Sequence, residues 1–146
     1  MKGTLKRIEQ ARDSGDWSQL LKNVPYAMFL GMTLGVEGGR LISRMPFADH
    51  LVGNPTVPAL HGGTLGALLE TSAQLELLFR AETLVLPKTI TLTIDYLRSG
   101  RPVETLAVAE VIRQGKRVAT VRATAWQEDE KKPIATMTLQ LLILGS

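Results

Sequence analysis

One stretch of this chain constrains its fold more than any other. Between residues 62 and 81, Leu65, Leu68, Leu69, Leu75 and Leu78 recur at helical spacing, and no other segment carries so long a helical pattern. Beyond this helix the chain turns to strand. Residues 89–96, Thr-Ile-Thr-Leu-Thr-Ile-Asp-Tyr, alternate strictly, the pattern of a strand buried on one face. After a turn at Arg98-Ser99-Gly100-Arg101-Pro102, strands are predicted over 104–114, 117–128 and 134–144. The connections are Gln114-Gly115-Lys116 and the turn from Glu128 to Pro133. Before the helix, residues 32–36 and 40–47 read as a hairpin around Glu37-Gly38-Gly39. Residues 48–61 read as a loop punctuated by Gly53, Asn54-Pro55 and Pro58. A hairpin, one long helix and four consecutive strands make an α+β fold, with an antiparallel sheet of about six strands wrapped round an apolar helix.

The 146 residues fit one domain. Residues 1–30 are expected to be a helical N-terminal extension: a polar helix over 4–13, a stop at Ser14-Gly15-Asp16, a helix through Trp17, Leu20 and Leu21, and a short turn from Pro25. Residues 31–146 are the domain on which it lies. The chain has no Cys, which removes disulfides, thiolate zinc sites and Cys nucleophiles together. Two histidines eleven apart, His50 and His61, match no zinc spacing, so no metal is expected. The first residues are polar, and no apolar run approaches the ~20 residues a membrane helix needs. A cytoplasmic location and no membrane partner are the expectation. The formal net charge is +3 and aromatics make up 5%. Charge so spread, with so few rings, argues against a base-stacking platform and fits a small polyanionic ligand equally well, so no nucleic-acid partner is expected.

Residues 54–70, Asn-Pro-Thr-Val-Pro-Ala-Leu-His-Gly-Gly-Thr-Leu-Gly-Ala-Leu-Leu-Glu, carry the chemistry. His61-Gly62-Gly63 followed by an acid nine positions on (70 − 61) resembles the hotdog acyl-CoA thioesterases of the phenylacetate-degradation type. Thr93-Ile94-Asp95-Tyr96-Leu97-Arg98 resembles that family's third strand, and the likeness runs over residues 31–144. It implies a hotdog fold, hydrolysis of acyl-CoA, and a homo-oligomer whose smallest active unit is a dimer and whose full form is a dimer or tetramer. It implies no cofactor beyond the CoA carried by the substrate.

Glu70 has Gly66, Ala67 and Ala73 at i−4, i−3 and i+3, small residues that leave its helix face open to close approach. A carboxylate lining a tight cleft is unfavourable unless it is used or paired. Such an acid can activate water or attack the thioester carbonyl itself, and both routes stay open. Gly62 stands at the helix start, where a backbone N–H lacks an intrahelical partner and faces the positive end of the dipole, as an oxyanion donor requires. Gly63 serves close packing at the substrate, and His61 shapes the helix start or the acyl site. Asn54 resembles the family's asparagine that polarises the carbonyl, although Asn-Pro is also a common turn pair. Thr89 stands where relatives carry a hydroxyl that orients water, and Gln74, one turn past Glu70, can bond the acid or the substrate. Arg98, Arg101, Lys116 and Arg117 are the candidate partners for the phosphates of CoA.

Two other functions fit part of this pattern. His50 with Glu70 resembles the loop histidine and helix acid of β-hydroxyacyl thioester dehydratases on the same fold. A non-catalytic acyl-CoA binding module is the other, because a fold does not fix a function. A serine hydrolase is disfavoured, since no Gly-x-Ser-x-Gly occurs.

Overall fold

The computed structural model describes residues 2–80, 83 and 85–143. The chain opens with helix α1 (Lys2–Ser14), a 3-10 turn at Trp17–Asn23 and helix α2 (Pro25–Phe29). Strands β1 (Thr33–Glu37) and β2 (Arg40–Met45) form the expected hairpin. Gly38 and Gly39 both take positive φ, 58° and 76°, the conformation a two-residue turn between twisted strands demands. Helix α3 (Gly62–Phe79) is the long helix. Strands β5 (Lys88–Tyr96), β6 (Thr105–Gln114), β7 (Val118–Trp126) and β8 (Ala135–Leu142) complete the sheet. The last expected residues of the helix and of the final strand, 81 and 144, lie outside the described residues.

The six strands run in the order β1-β2-β6-β7-β8-β5, with antiparallel pairing throughout. This is the hotdog arrangement. Its geometry comes from side-chain size. The inner face of β6 and β7 presents Ala107, Ala109, Ala119, Ala123 and Ala125, a floor of methyl groups on which a helix can lie close. Leu65, Leu68, Leu69, Leu75, Leu77 and Leu78 of α3 fill the space above it, together with Met137, Leu139 and Leu141 of β8. A helix apolar on nearly every side is stable only when surrounded.

Three expectations need correction. Residues 48–61 are not plain loop: a 3-10 turn at Asp49–Leu51 leads into a two-stranded ladder of β3 (Val52–Asn54) and β4 (Ala59–Leu60). The N-terminal segment does more than lie on the domain, because Ile8, Ala11, Trp17, Leu20, Leu21, Ala27 and Leu30 belong to the same buried cluster as α3. Strand β5 breaks its alternation with a register shift between Thr89 and Thr91, and its apolar face is only partly covered within the chain, where Ile94 packs against the core. It is an edge strand, and Ile90, Leu92 and Tyr96 stay 56%, 38% and 55% exposed.

Candidate active site

The site begins where the β4 ladder turns into α3. His61 is the N-cap: its Nδ1 accepts the Gly63 N–H at 2.8 Å, while its carbonyl accepts the Thr64 N–H at 3.0 Å and the Thr64 hydroxyl at 2.6 Å. An acceptor at Nδ1 places the proton of the neutral ring on Nε2. His61 is in turn fixed by its own N–H, which donates to the Leu51 carbonyl at 2.8 Å. Gly53 permits this closeness, since a Cβ there would lie 2.7 Å from the His61 Cα. His61 therefore shapes the helix start, one of the two roles expected of it. Gly63 has its N–H committed to the cap.

The Gly62 N–H has no partner among the described residues, as an oxyanion donor requires. Tyr96, at the end of β5, donates its hydroxyl to the Gly62 carbonyl at 2.9 Å. A Cβ on Gly62 would stand 3.0 Å from that hydroxyl oxygen. Gly62 lines a groove of about 590 Å³ whose walls include Leu60, Leu65, Tyr96, Leu97 and Arg98.

Glu70 sits further along the same face. Gly62, Gly66, Glu70 and Gln74 form one stripe at i, i+4 spacing, running antiparallel to β5. Gly62 meets Tyr96, a Cβ on Gly66 would reach Ile94 Cδ1 at 4.0 Å, and Gln74 Nε2 donates to the Pro87 carbonyl at 3.0 Å. Four helical residues advance ~6 Å and two strand residues ~6.8 Å, so the two elements stay in step and Glu70 falls level with Leu92. Glu70 is half-buried, and its carboxylate has no hydrogen bond or ion pair among the described residues. It does not line the Gly62 groove. Gly66 and Ala67 are half-open beside it, but Ala73 is fully buried in the chain's own core, so only two of the three small neighbours leave room for an approach. Nearer the start of β5, Thr89 carries a buried hydroxyl with no hydrogen-bond partner among the described residues. It pairs with Leu141, on the inner side of the sheet.

The remaining candidates separate by place. The Asn54 side chain caps its own turn, with Oδ1 accepting the Thr56 N–H at 3.0 Å, and its NH₂ has no partner among the described residues. The Gln74 amide is tied to the loop at Pro87. Arg98 lines both the Gly62 groove and a neighbouring cavity of about 260 Å³. Arg101 lines that cavity too, but it pairs with Glu128, and Gln127 holds its backbone at both ends. Lys116 and Arg117 stand at the opposite end of the sheet: Val118 pairs with Leu142 and Leu142 with Lys88, while Ala135 pairs with Tyr96. The length of β5, ~27 Å, separates them from Arg98 within one chain. Lys132, half of a basic pair in the sequence (Lys131-Lys132) but not among the expected CoA contacts, lines the small cavity with Arg98 and Arg101. Only the folded β7–β8 turn brings it there.

A larger cleft of about 670 Å³ lies elsewhere, at the far end of α3, and none of the motif residues lines it. Its charges are mostly paired: Glu76 with Arg80 at 2.7 Å, and Arg40 with Glu130. Glu76 is 4% exposed, and burial pushes its carboxyl above the usual range even though Arg80 pulls it back. His50 lies away from both, with Nε2 at 2.9 Å from the Phe29 carbonyl and its ring 4.7 Å from that of Phe29. It is thus engaged with α2, which speaks against pairing with Glu70 as a dehydratase would need.

Comparison with known proteins agrees with this geometry. The family described as acyl-CoA thioesterase N-terminal domain matches residues 53–141. The medium/long-chain acyl-CoA thioesterase YigI of Salmonella typhimurium is 33% identical over 123 residues, covering 72% of this chain and 79% of that protein. A solved protein of Chromobacterium violaceum is 35% identical, with a TM-score of 0.76 over 96% of this chain and 98% of that one. A solved thioesterase-superfamily protein reaches a TM-score of 0.78 at 26% identity, over 87% of this chain and 95% of that one. The hotdog sheet and these likenesses converge on one assignment: the chain belongs to the acyl-CoA thioesterases of the hotdog fold.

Proposed function

We propose that the enzyme hydrolyses acyl-CoA at a site shared by two copies of the chain, with Gly62 of one and Glu70 of the other. The observation that carries this reading is the separation of the two groups on one helix. Eight residues (70 − 62) amount to ~12 Å, whereas a reacting carboxylate or its water must come within ~3–3.5 Å of a carbonyl whose oxygen rests on the donor. A second α3, antiparallel about a two-fold axis, brings one chain's Gly62 opposite the other's Glu70, and Gly66 and Ala67 leave room for it. The open edge of β5 then pairs with its copy.

In the reaction, the Gly62 N–H receives the charge that develops on the thioester oxygen. Glu70 takes a proton from water as the water oxygen bonds to the carbonyl carbon, or its own oxygen forms that bond and water later cleaves the anhydride. Collapse of the tetrahedral intermediate breaks the C–S bond: in the first route Glu70 returns its proton to the sulfur and CoA leaves as the thiol, and in the second the sulfur leaves as thiolate and takes its proton from the water that cleaves the anhydride. The unpartnered Thr89 hydroxyl, on the face toward α3, is the proposed orienting group for the water. Arg98 is the proposed first contact for the CoA phosphates, because it lines the groove and has no ion pair among the described residues. The likeness to a medium/long-chain enzyme favours an aliphatic acyl group of that length.

Glu70→Gln preserves shape and removes the base. Turnover of octanoyl-CoA is expected to fall at least ~100-fold, the scale of general-base catalysis. Near-normal hydrolysis by the folded variant contradicts the reading.

A further inference from the structure

We infer that Tyr96 is a positioning residue for the oxyanion donor, and that with His61 it grips the single peptide plane just after Gly62. The inference rests on the proposed donor role of Gly62. The Gly62 carbonyl and the Gly63 N–H belong to one peptide group. Tyr96 donates to the carbonyl at 2.9 Å, and His61 Nδ1 accepts the N–H at 2.8 Å. The same plane is thus held from opposite edges by two side chains on two different elements.

Such a grip is needed here because the donor precedes another glycine. Two consecutive residues without Cβ are the least restrained backbone a helix start can have. The Gly62 N–H lies in the preceding peptide plane, whose His61 carbonyl accepts from Thr64 at 3.0 and 2.6 Å. With the plane after Gly62 held as well, the torsions of Gly62 have little freedom left, and the direction of its N–H is set. Tyr96 is itself well anchored: it pairs with Ala135, and the next two N–H groups, of Leu97 and Arg98, both donate to the Ile134 carbonyl at 2.8 and 3.1 Å. The phenol also gives the glycine at 62 a second reason to be glycine. A Cβ there would sit 3.0–3.2 Å from the Tyr96 hydroxyl and ring. Gly62 therefore leaves the N–H unobstructed and makes room for the residue that aims it.

The test separates aim from binding and from stability. Tyr96→Phe keeps the ring and removes the hydrogen bond. For octanoyl-CoA, kcat is expected to fall about ten-fold with KM unchanged, a fraction of the ~100- to 1,000-fold that loss of an oxyanion donor itself costs. The chain has two Gly-Gly pairs, 38–39 and 62–63. Glycine labelled with ¹³C at the carbonyl and ¹⁵N therefore gives two one-bond correlations, and that of Gly62 should move upfield in Tyr96→Phe while that of Gly38 stays. Gly62→Ala, which retains the N–H but crowds the phenol, is expected to lose kcat as well, and it serves if Tyr96→Phe does not fold. An unmoved Gly62 signal, an unchanged kcat, or a change confined to KM overturns the inference. So does a loss of activity that only tracks the folded fraction. The carbonyl signal does not depend on hydrolysis, so an active Glu70→Gln enzyme would remove the proposed base while the Tyr96 contact still stood or fell on its own.

Discussion

At the scale of single residues, the site rests on a cap that a local sequence pattern reveals and a contact that it does not. His61, Gly62 and Gly63 are adjacent, so their part in starting a helix is legible from the sequence. Tyr96 lies 34 positions away from Gly62, and its partnership exists only through the packing of β5 against α3. The same limit hides the place of Lys132 beside Arg98, and it makes Lys116 and Arg117 look like companions of Arg98. Charge is visible in a sequence, but the end of the sheet on which it falls is set by strand register. The cap itself is measurable. His61→Ala deletes the acceptor for Gly63 N–H and should lower unfolding stability in urea by about 1 kcal/mol, with kcat reduced beyond what that loss of folded protein explains. His61→Asn, a good cap, should recover most of the stability.

At the scale of elements, α3 carries two acids with different surroundings. Glu70 is half-buried and unpartnered among the described residues, whereas Glu76 is buried, paired with Arg80, and raised above its usual titration range by desolvation. This fixes the sign of its effect on stability. Where the folded carboxyl holds its proton and the unfolded one has lost it, the folded state binds more protons, so stability falls as pH rises from the ordinary carboxylate range through the raised value. Glu76→Gln removes this dependence. As pH rises from the ordinary carboxylate range, the parent should lose melting temperature relative to Glu76→Gln, while Arg80, half-exposed, remains solvated in the variant. Parallel melting curves for the two proteins across that range would refute the assignment. The elements themselves were largely readable: the long helix and six main strands are set by periodicity. The β3–β4 ladder was not, because strands of three and two residues are too short to show a period of two.

At the scale of the whole molecule, the sheet has one edge that does not look finished. Ile90, Leu92, Tyr96 and Leu97 are exposed on or beside β5, each side chain worth roughly 1.5–3 kcal/mol if fully buried. The strict alternation of this strand told of a buried face but not of what buries it, since a sequence does not distinguish its own helix from that of a second copy. The proposed pairing of β5 with its copy would answer both the open edge and the ~12 Å between Gly62 and Glu70. Ile90→Lys should leave the single-chain fold intact, because Ile90 is 56% exposed there. Sedimentation should show the variant shifted towards monomer, with acyl-CoA hydrolysis lost in proportion.

Complementation tests the shared site most directly. Glu70→Gln chains are refolded together with Gly62→Pro chains, in which the donor N–H is gone and the added ring atoms crowd Tyr96. Each parent should be nearly inactive. A mixed dimer pairs the intact Gly62 of the first chain with the intact Glu70 of the second, so one of its two sites is whole. Heterodimers should therefore recover roughly half the activity of the parent dimer if the sites are independent. Folded heterodimers that stay as inactive as either parent would contradict a site built from two chains.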